Sequence, residues 1–99
     1  MLNKPKTEQK FQKQIIDLLN KQYNSEVIKV IMANKSGIPD IIACIDGRFV
    51  SIEVKLDSKT SPLQEAAIKR IVNAGGNAFV LRWSENWQEE LKTRLKNER

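Results

Sequence analysis

The dipeptide Asp46-Gly47 lies between two largely apolar runs, and it constrains the fold more than any other feature of the chain. A two-residue type I′ turn needs positive φ at both central positions, which Asp-Gly supplies, so this is the strongest short-range hairpin signal a sequence can carry. Such a turn also fixes the register. Ile45 opposes Arg48, and pairing steps outward symmetrically until Asp40 stands opposite Glu53. Directly opposed residues share a face with Cβ atoms about 5 Å apart. Lys55, two residues beyond Glu53, points to that same face. The other face then reads Ile41, Ala43, Ile45, Val50, Ile52 and Val54, an apolar layer that needs a covering helix and that sets the register independently. The charged face also carries Ile42, Cys44 and Phe49, so only its Asp40–Glu53–Lys55 end is polar.

Around this hairpin the pattern predicts the order α-β-β-β-α-β-α, an α/β fold with a small mixed sheet flanked by helices. Thr7 is a candidate N-cap, and Phe11, Ile15, Leu18 and Leu19 recur at helical spacing, predicting a helix over residues 8–23. Val27–Ala33, Ile38–Ile45 and Arg48–Leu56 read as strands, although Pro39 removes one ladder donor from the second. Ser61-Pro62-Leu63-Gln64 opens a helix with an N-cap, a first-turn proline and a capping-box glutamine, and Gly75-Gly76 closes it near Ala74. Ala78–Trp83 reads as the fourth strand, and Ser84 as the cap of a last helix. Strand three, helix and strand four form a crossover unit, which predicts that those strands run parallel. Trp83 and Trp87 are expected in the core or at a dimer contact, and Cys44 as a small buried strand residue.

The 99 residues suffice for one domain, taken as 1–99 with a basic lead-in over 1–6. No run is long and apolar enough for a bilayer, and Met1–Lys13 lacks a signal peptide's apolar stretch, so a cytoplasmic location and no membrane partner are expected. A single cysteine fits a reducing compartment. The chain contains no histidine. That excludes Ser-His-Asp catalysis, His-ligated zinc and HNH-type nuclease chemistry, leaving carboxylates, lysines, hydroxyls and amides. The net charge of +5 favours a polyanionic partner such as nucleic acid.

Two carboxylates directly opposed on a sheet are destabilising, so one is protonated or a cation sits between them. With no histidine and only one cysteine, a Mg²⁺-like ion bound through oxygen is the natural occupant. The competing explanation is a cross-strand Asp–Lys or Glu–Lys ion pair at a solvated edge. Gln64 has two readings, as the partner of Ser61 in a capping box or as a group facing the site. Glu8 lies on the apolar stripe of its helix and meets either the helix-start amides or the metal site. Lys35, Ser36 and Gly37, together with Lys59, are candidate phosphate contacts, Gly37 by permitting close backbone approach. Basic residues at both ends (Lys4, Lys6, Lys10, Lys13, Lys92, Arg94, Lys96 and Arg99) offer a further track for phosphates.

Ser36–Asp40 followed by Ile52–Lys55 resembles the split Pro-Asp…Glu-x-Lys signature of the PD-(D/E)XK nuclease superfamily. More narrowly, Ser-Gly-Ile-Pro-Asp, Glu-Val-Lys, Ser-Pro-Leu-Gln and Ala-Gly-Gly-Asn-Ala resemble the VRR-NUC (virus-type replication-repair nuclease) family over residues 35–82. The resemblance implies a restriction-endonuclease-like core and a Mg²⁺- or Mn²⁺-dependent DNA endonuclease. It implies Asp40, Glu53 and the Val54 carbonyl as metal ligands, Lys55 as the catalytic lysine, and supporting roles for Gln64 and Glu8. Members resemble stand-alone phage and viral nucleases, homodimers that act on branched or structured DNA. Two rivals stand beside this reading: a non-catalytic nucleic-acid-binding module, and a Holliday-junction resolvase or restriction-type nuclease on the same core.

Overall fold

The computed structural model describes residues 3–96. The elements are α1 (Glu8–Gln22), β1 (Ser25–Lys29), β2 (Ile41–Ile45), β3 (Arg48–Lys55), α2 (Pro62–Asn73), β4 (Asn77–Arg82) and α3 (Trp87–Lys96). They occur in the expected α-β-β-β-α-β-α order and build one four-stranded mixed sheet, β1-β2-β3-β4. Asp46 and Gly47 both take positive φ, 51° and 83°. The β2–β3 ladder accordingly pairs Ile45 with Arg48 and runs outward to Ile41 opposite Ile52. β3 and β4 are parallel, as the crossover requires.

The apolar face of the hairpin is covered by α1 and α3. Phe11, Ile15 and Leu19 from α1 and Trp87 and Leu91 from α3 close over Ile41, Ile52, Val54, Phe79 and Leu81 in one core. Phe11 and Trp87 meet edge to face at 5.2 Å. The Arg94 guanidinium lies 4.7 Å above the Phe79 ring, so this basic residue serves as a lid on the core. Helix α2 packs on the opposite face, burying Ala67 and covering Ser51, Glu53 and Lys55. The second half of β3 is therefore buried on both sides. Capping is as the sequence predicts: Thr7 accepts from Lys10 N–H, and Ser61 with Gln64 forms a complete capping box.

Four expectations need correction. The first strand ends at Lys29 and not at Ala33, because β2 begins only at Ile41. One further bond, Val30 N–H to the Asp40 carbonyl at 2.8 Å, finishes the pairing, and β1 pairs no further with β2. The second strand starts at Ile41 and not at Ile38, since Pro39 has no N–H to give. The last helix begins at Trp87, three residues after Ser84, whose carbonyl accepts from Trp87 N–H in a preceding turn. Cys44 is exposed. It alternates with the buried Ala43 and Ile45, so it faces the side of β1 and β2 that α2 leaves uncovered. Among the described residues, no helix is long and apolar enough to cross a membrane. Arg99, a candidate phosphate contact, lies outside the described residues.

Gly37 is held at φ +78° against the start of α2. A Cβ there would stand 2.5 Å from the carbonyl carbon and oxygen of Leu63 and 2.9 Å from the Gln64 nitrogen. The glycine thus has a packing role that the sequence did not reveal. Replacing it by alanine should destabilise the protein by about 2–4 kcal/mol, from left-handed backbone strain plus overpacking. Urea unfolding measures this, and a loss below about 0.5 kcal/mol, the level of an ordinary surface change, would contradict the close approach.

Candidate active site

β3 outlasts β2 by several residues, and the site is built on this overhang. The last β2–β3 pair is Ile41 with Ile52, so the N–H groups of Val54 and Leu56 on the β2 side have no strand to meet. Backbone donors left unpaired at a half-buried strand edge must find other partners. Asp40 Oδ2 accepts from Val54 N–H at 2.9 Å, and Glu8 Oε2 accepts from Leu56 N–H at 3.2 Å and from the Ser58 hydroxyl at 3.4 Å. Within a strand the N–H and C=O of one residue point the same way, so the Val54 carbonyl faces this same opening. The Lys55 carbonyl points the other way, accepting from Trp83 N–H at 3.0 Å. Glu8 was expected to meet either helix amides or the site. It meets the strand end beside the site.

Glu53 and Lys55 lie on the α2 face, with side chains only 3% and 10% exposed, and Lys55 Nζ stands 3.6 Å from Glu53 Oε2. Gln64 performs both of its candidate roles through opposite ends of one amide. Its Oε1 accepts from Ser61 N–H and its Nε2 donates to Glu53 Oε2, each at 2.9 Å. Glu53 Oε1 is buried and has no hydrogen-bond partner among the described residues.

Electrostatics follow from this crowding. Burial, reinforced by the neighbouring Asp40 charge, pushes the Glu53 carboxyl up to about 7, against the opposing pull of Lys55. Burial also raises Asp40, opposed by the Val54 N–H it accepts, reinforced by the charge of Glu8, and opposed further by Lys55 and the Glu53 side chain. The set therefore offers two oxygen-donor carboxylates that resist ionising together, an unpartnered carboxylate oxygen and a backbone carbonyl. That chemistry suits a hard divalent cation, which would relieve both the repulsion and the orphaned oxygen. Among the described residues, no three His, Cys, Asp and Glu side chains gather as a metal cluster, so such an ion would complete its shell with water.

The other sequence candidates lie around the rim. Lys35 and Ser36 are exposed in the loop before Gly37, and Lys59 is exposed in the loop after β3. Gln12, which no sequence motif singled out, is 7% exposed, and its side-chain oxygen has no hydrogen-bond partner among the described residues. Its spacing of one helical turn from Glu8, on an otherwise apolar stripe, was the signal available.

Gln64→Glu keeps the capping acceptor but replaces the donor to Glu53 with a second negative charge. Without divalent cation at pH 8 it should cost about 2 kcal/mol of stability, read from thermal melts. A neutral result would mean that the 2.9 Å contact to Glu53 carries no weight.

No family profile matches this chain, and no curated protein matches it. Comparison with solved structures does find the fold. A structure described as a VRR_NUC domain superposes with a TM-score of 0.73, covering 86% of this chain and 94% of that one at 24% identity. The chain thus has the fold of a solved VRR_NUC domain, the fold-level counterpart of the resemblance carried by Ser36–Asp40 and Glu53–Lys55.

Proposed function

We propose that this protein is a metal-dependent nuclease that hydrolyses phosphodiester bonds in DNA, branched or structured DNA foremost, using Mg²⁺ or Mn²⁺. The observation that carries the reading is the buried Glu53 Oε1, without a partner among the described residues, next to a second carboxylate, Asp40, whose pKa burial also raises. The shared fold with a VRR_NUC domain supports it. Asp40, Glu53 and the Val54 carbonyl would hold the cation. When bound, the cation lowers the pKa of a coordinated water and offsets charge on the scissile phosphate.

The chain's own residues do the rest. Gln64 fixes the Glu53 rotamer by taking Oε2 and leaves Oε1 free. Lys55, nearly buried beside Glu53, carries its ammonium to the reacting phosphate, where it orients the attacking water and stabilises charge on the phosphoryl oxygens. Glu8 ties the end of β3 to α1 and adds negative charge behind Asp40. Lys35, Ser36 and Lys59, exposed in the loops beside the site, would contact phosphates on either side. The resemblance further implies a homodimer, which light scattering tests.

The experiment is a cleavage panel of single-stranded, duplex, flap and four-way-junction DNA in Mg²⁺, Mn²⁺ and EDTA. Cleavage that persists in EDTA, or in Asp40→Ala, refutes the proposal. Salt-dependent binding with no cut product under either cation would identify a binding module instead.

A further inference from the structure

The segment that the sequence reads as a strand and the fold leaves unpaired carries the two most exposed large apolar side chains described, Ile31 at 83% and Met32 at 88%. Their exposure is imposed by the sheet, since backbone pairing stops at the Val30–Asp40 hydrogen bond. That same bond fixes where the segment emerges: directly beside Asp40. The tip is flanked by Lys29 and Lys35, and residues 29–36 contain no acidic residue. At the far end of the loop, Gly37 is seated on the first turn of α2, so the tip projects from a base anchored at both sides.

An apolar tip between lysines, rooted beside the proposed catalytic carboxylates, suits one surface well. Phosphates lie on the outside for the lysines, and an apolar base stack lies within for the tip. Proteins that deform DNA insert Ile, Met, Leu or Phe between base steps in this manner, and every base offers an apolar face. A second copy of this chain is the weaker fit at the tip itself, because its net charge of +5 would meet the flanking Lys29 and Lys35 with like charge, whereas a polyanion complements them.

We infer that Ile31 and Met32 form a wedge that enters the base stack of DNA next to the scissile phosphate and unstacks it. This rests on the nuclease reading for its substrate. It adds that the protein opens paired DNA at the cut site and does not merely accept an opening already present.

The test uses the full chain carrying Asp40→Asn, bound in Mg²⁺ to a duplex with 2-aminopurine at its centre. With the loop intact, 2-aminopurine emission rises on binding. With Ile31→Ser and Met32→Ser added, binding measured by anisotropy persists and the rise is lost. In the catalytically intact background, the double substitution lowers cutting of fully paired DNA by about tenfold or more, given the cost of unstacking a step. It leaves DNA already unpaired at the cut site unaffected. No emission rise with the loop intact, an equal rise without it, or an equal loss on both substrates overturns the wedge. A fall in mass by light scattering on substitution also overturns it, showing a contact between copies. If the parental chain cuts nothing, the nuclease reading fails while the emission experiment still decides the wedge.

Discussion

Asp40→Asn yields a folded protein that cuts DNA at least about 10³-fold more slowly, because an ion's charge stabilisation is worth several kcal/mol and each 1.36 kcal/mol is tenfold. The asparagine oxygen still accepts the Val54 N–H that Asp40 Oδ2 takes at 2.9 Å, so the strand overhang keeps its partner. What disappears is one of two adjacent carboxylates. Calorimetric titration should show Mg²⁺ affinity falling with activity. Thermal melts without cation should show the variant no less stable than its parent, since a like charge beside Glu53 has gone. Retained cleavage, or a large loss of stability without cation, would mean that Asp40 is structural alone.

The second large effect is on stability as a function of pH. Burial raises Glu53 from 4.5 to about 7 in the folded protein, with the charges of Asp40 and Glu8 adding to the shift and Lys55 opposing it. Between those values the folded state binds more protons than the unfolded one. Stability of the cation-free protein therefore falls as pH rises through that window, the reverse of a salt-bridged carboxylate. The loss is a few kcal/mol, on the order of 10 °C in Tm for a domain of this size. Glu53→Gln, which cannot ionise, should flatten the slope. Mg²⁺ should restore stability above pH 7 in the parent and not in that variant. Melts that strengthen with pH across the window would overturn the account.

The site was legible wherever a local rule fixed geometry. The Asp46-Gly47 turn set the whole β2–β3 register, and the ladder ends at Ile41 opposite Ile52, one step short of Asp40 and Glu53. It was illegible where neighbours distant in sequence decide the outcome. Nothing near Val30–Ala33 shows that its would-be partner strand starts late, so β-branched, apolar composition predicted a strand where the chain lies in solvent. Burial of Glu53 and Lys55 depends on α2 crossing their face, which a strand pattern does not encode. Gln64 appeared as a choice between two roles because sequence treats a side chain as one group, whereas its amide oxygen and nitrogen serve Ser61 and Glu53 separately.

The carboxylates on the β3 overhang have a consequence for solubility. Exposed strand edges are templates on which another chain adds a strand, the first step toward aggregation. Here the outward N–H groups of Val54 and Leu56 are occupied by Asp40 and Glu8, and an incoming strand would have to displace both acids. The acids proposed for catalysis therefore also guard the sheet against self-association. A descendant that had stopped cutting would still be held to keep an acceptor at positions 40 and 8, so inactive forms are expected to show asparagine or glutamine there sooner than alanine.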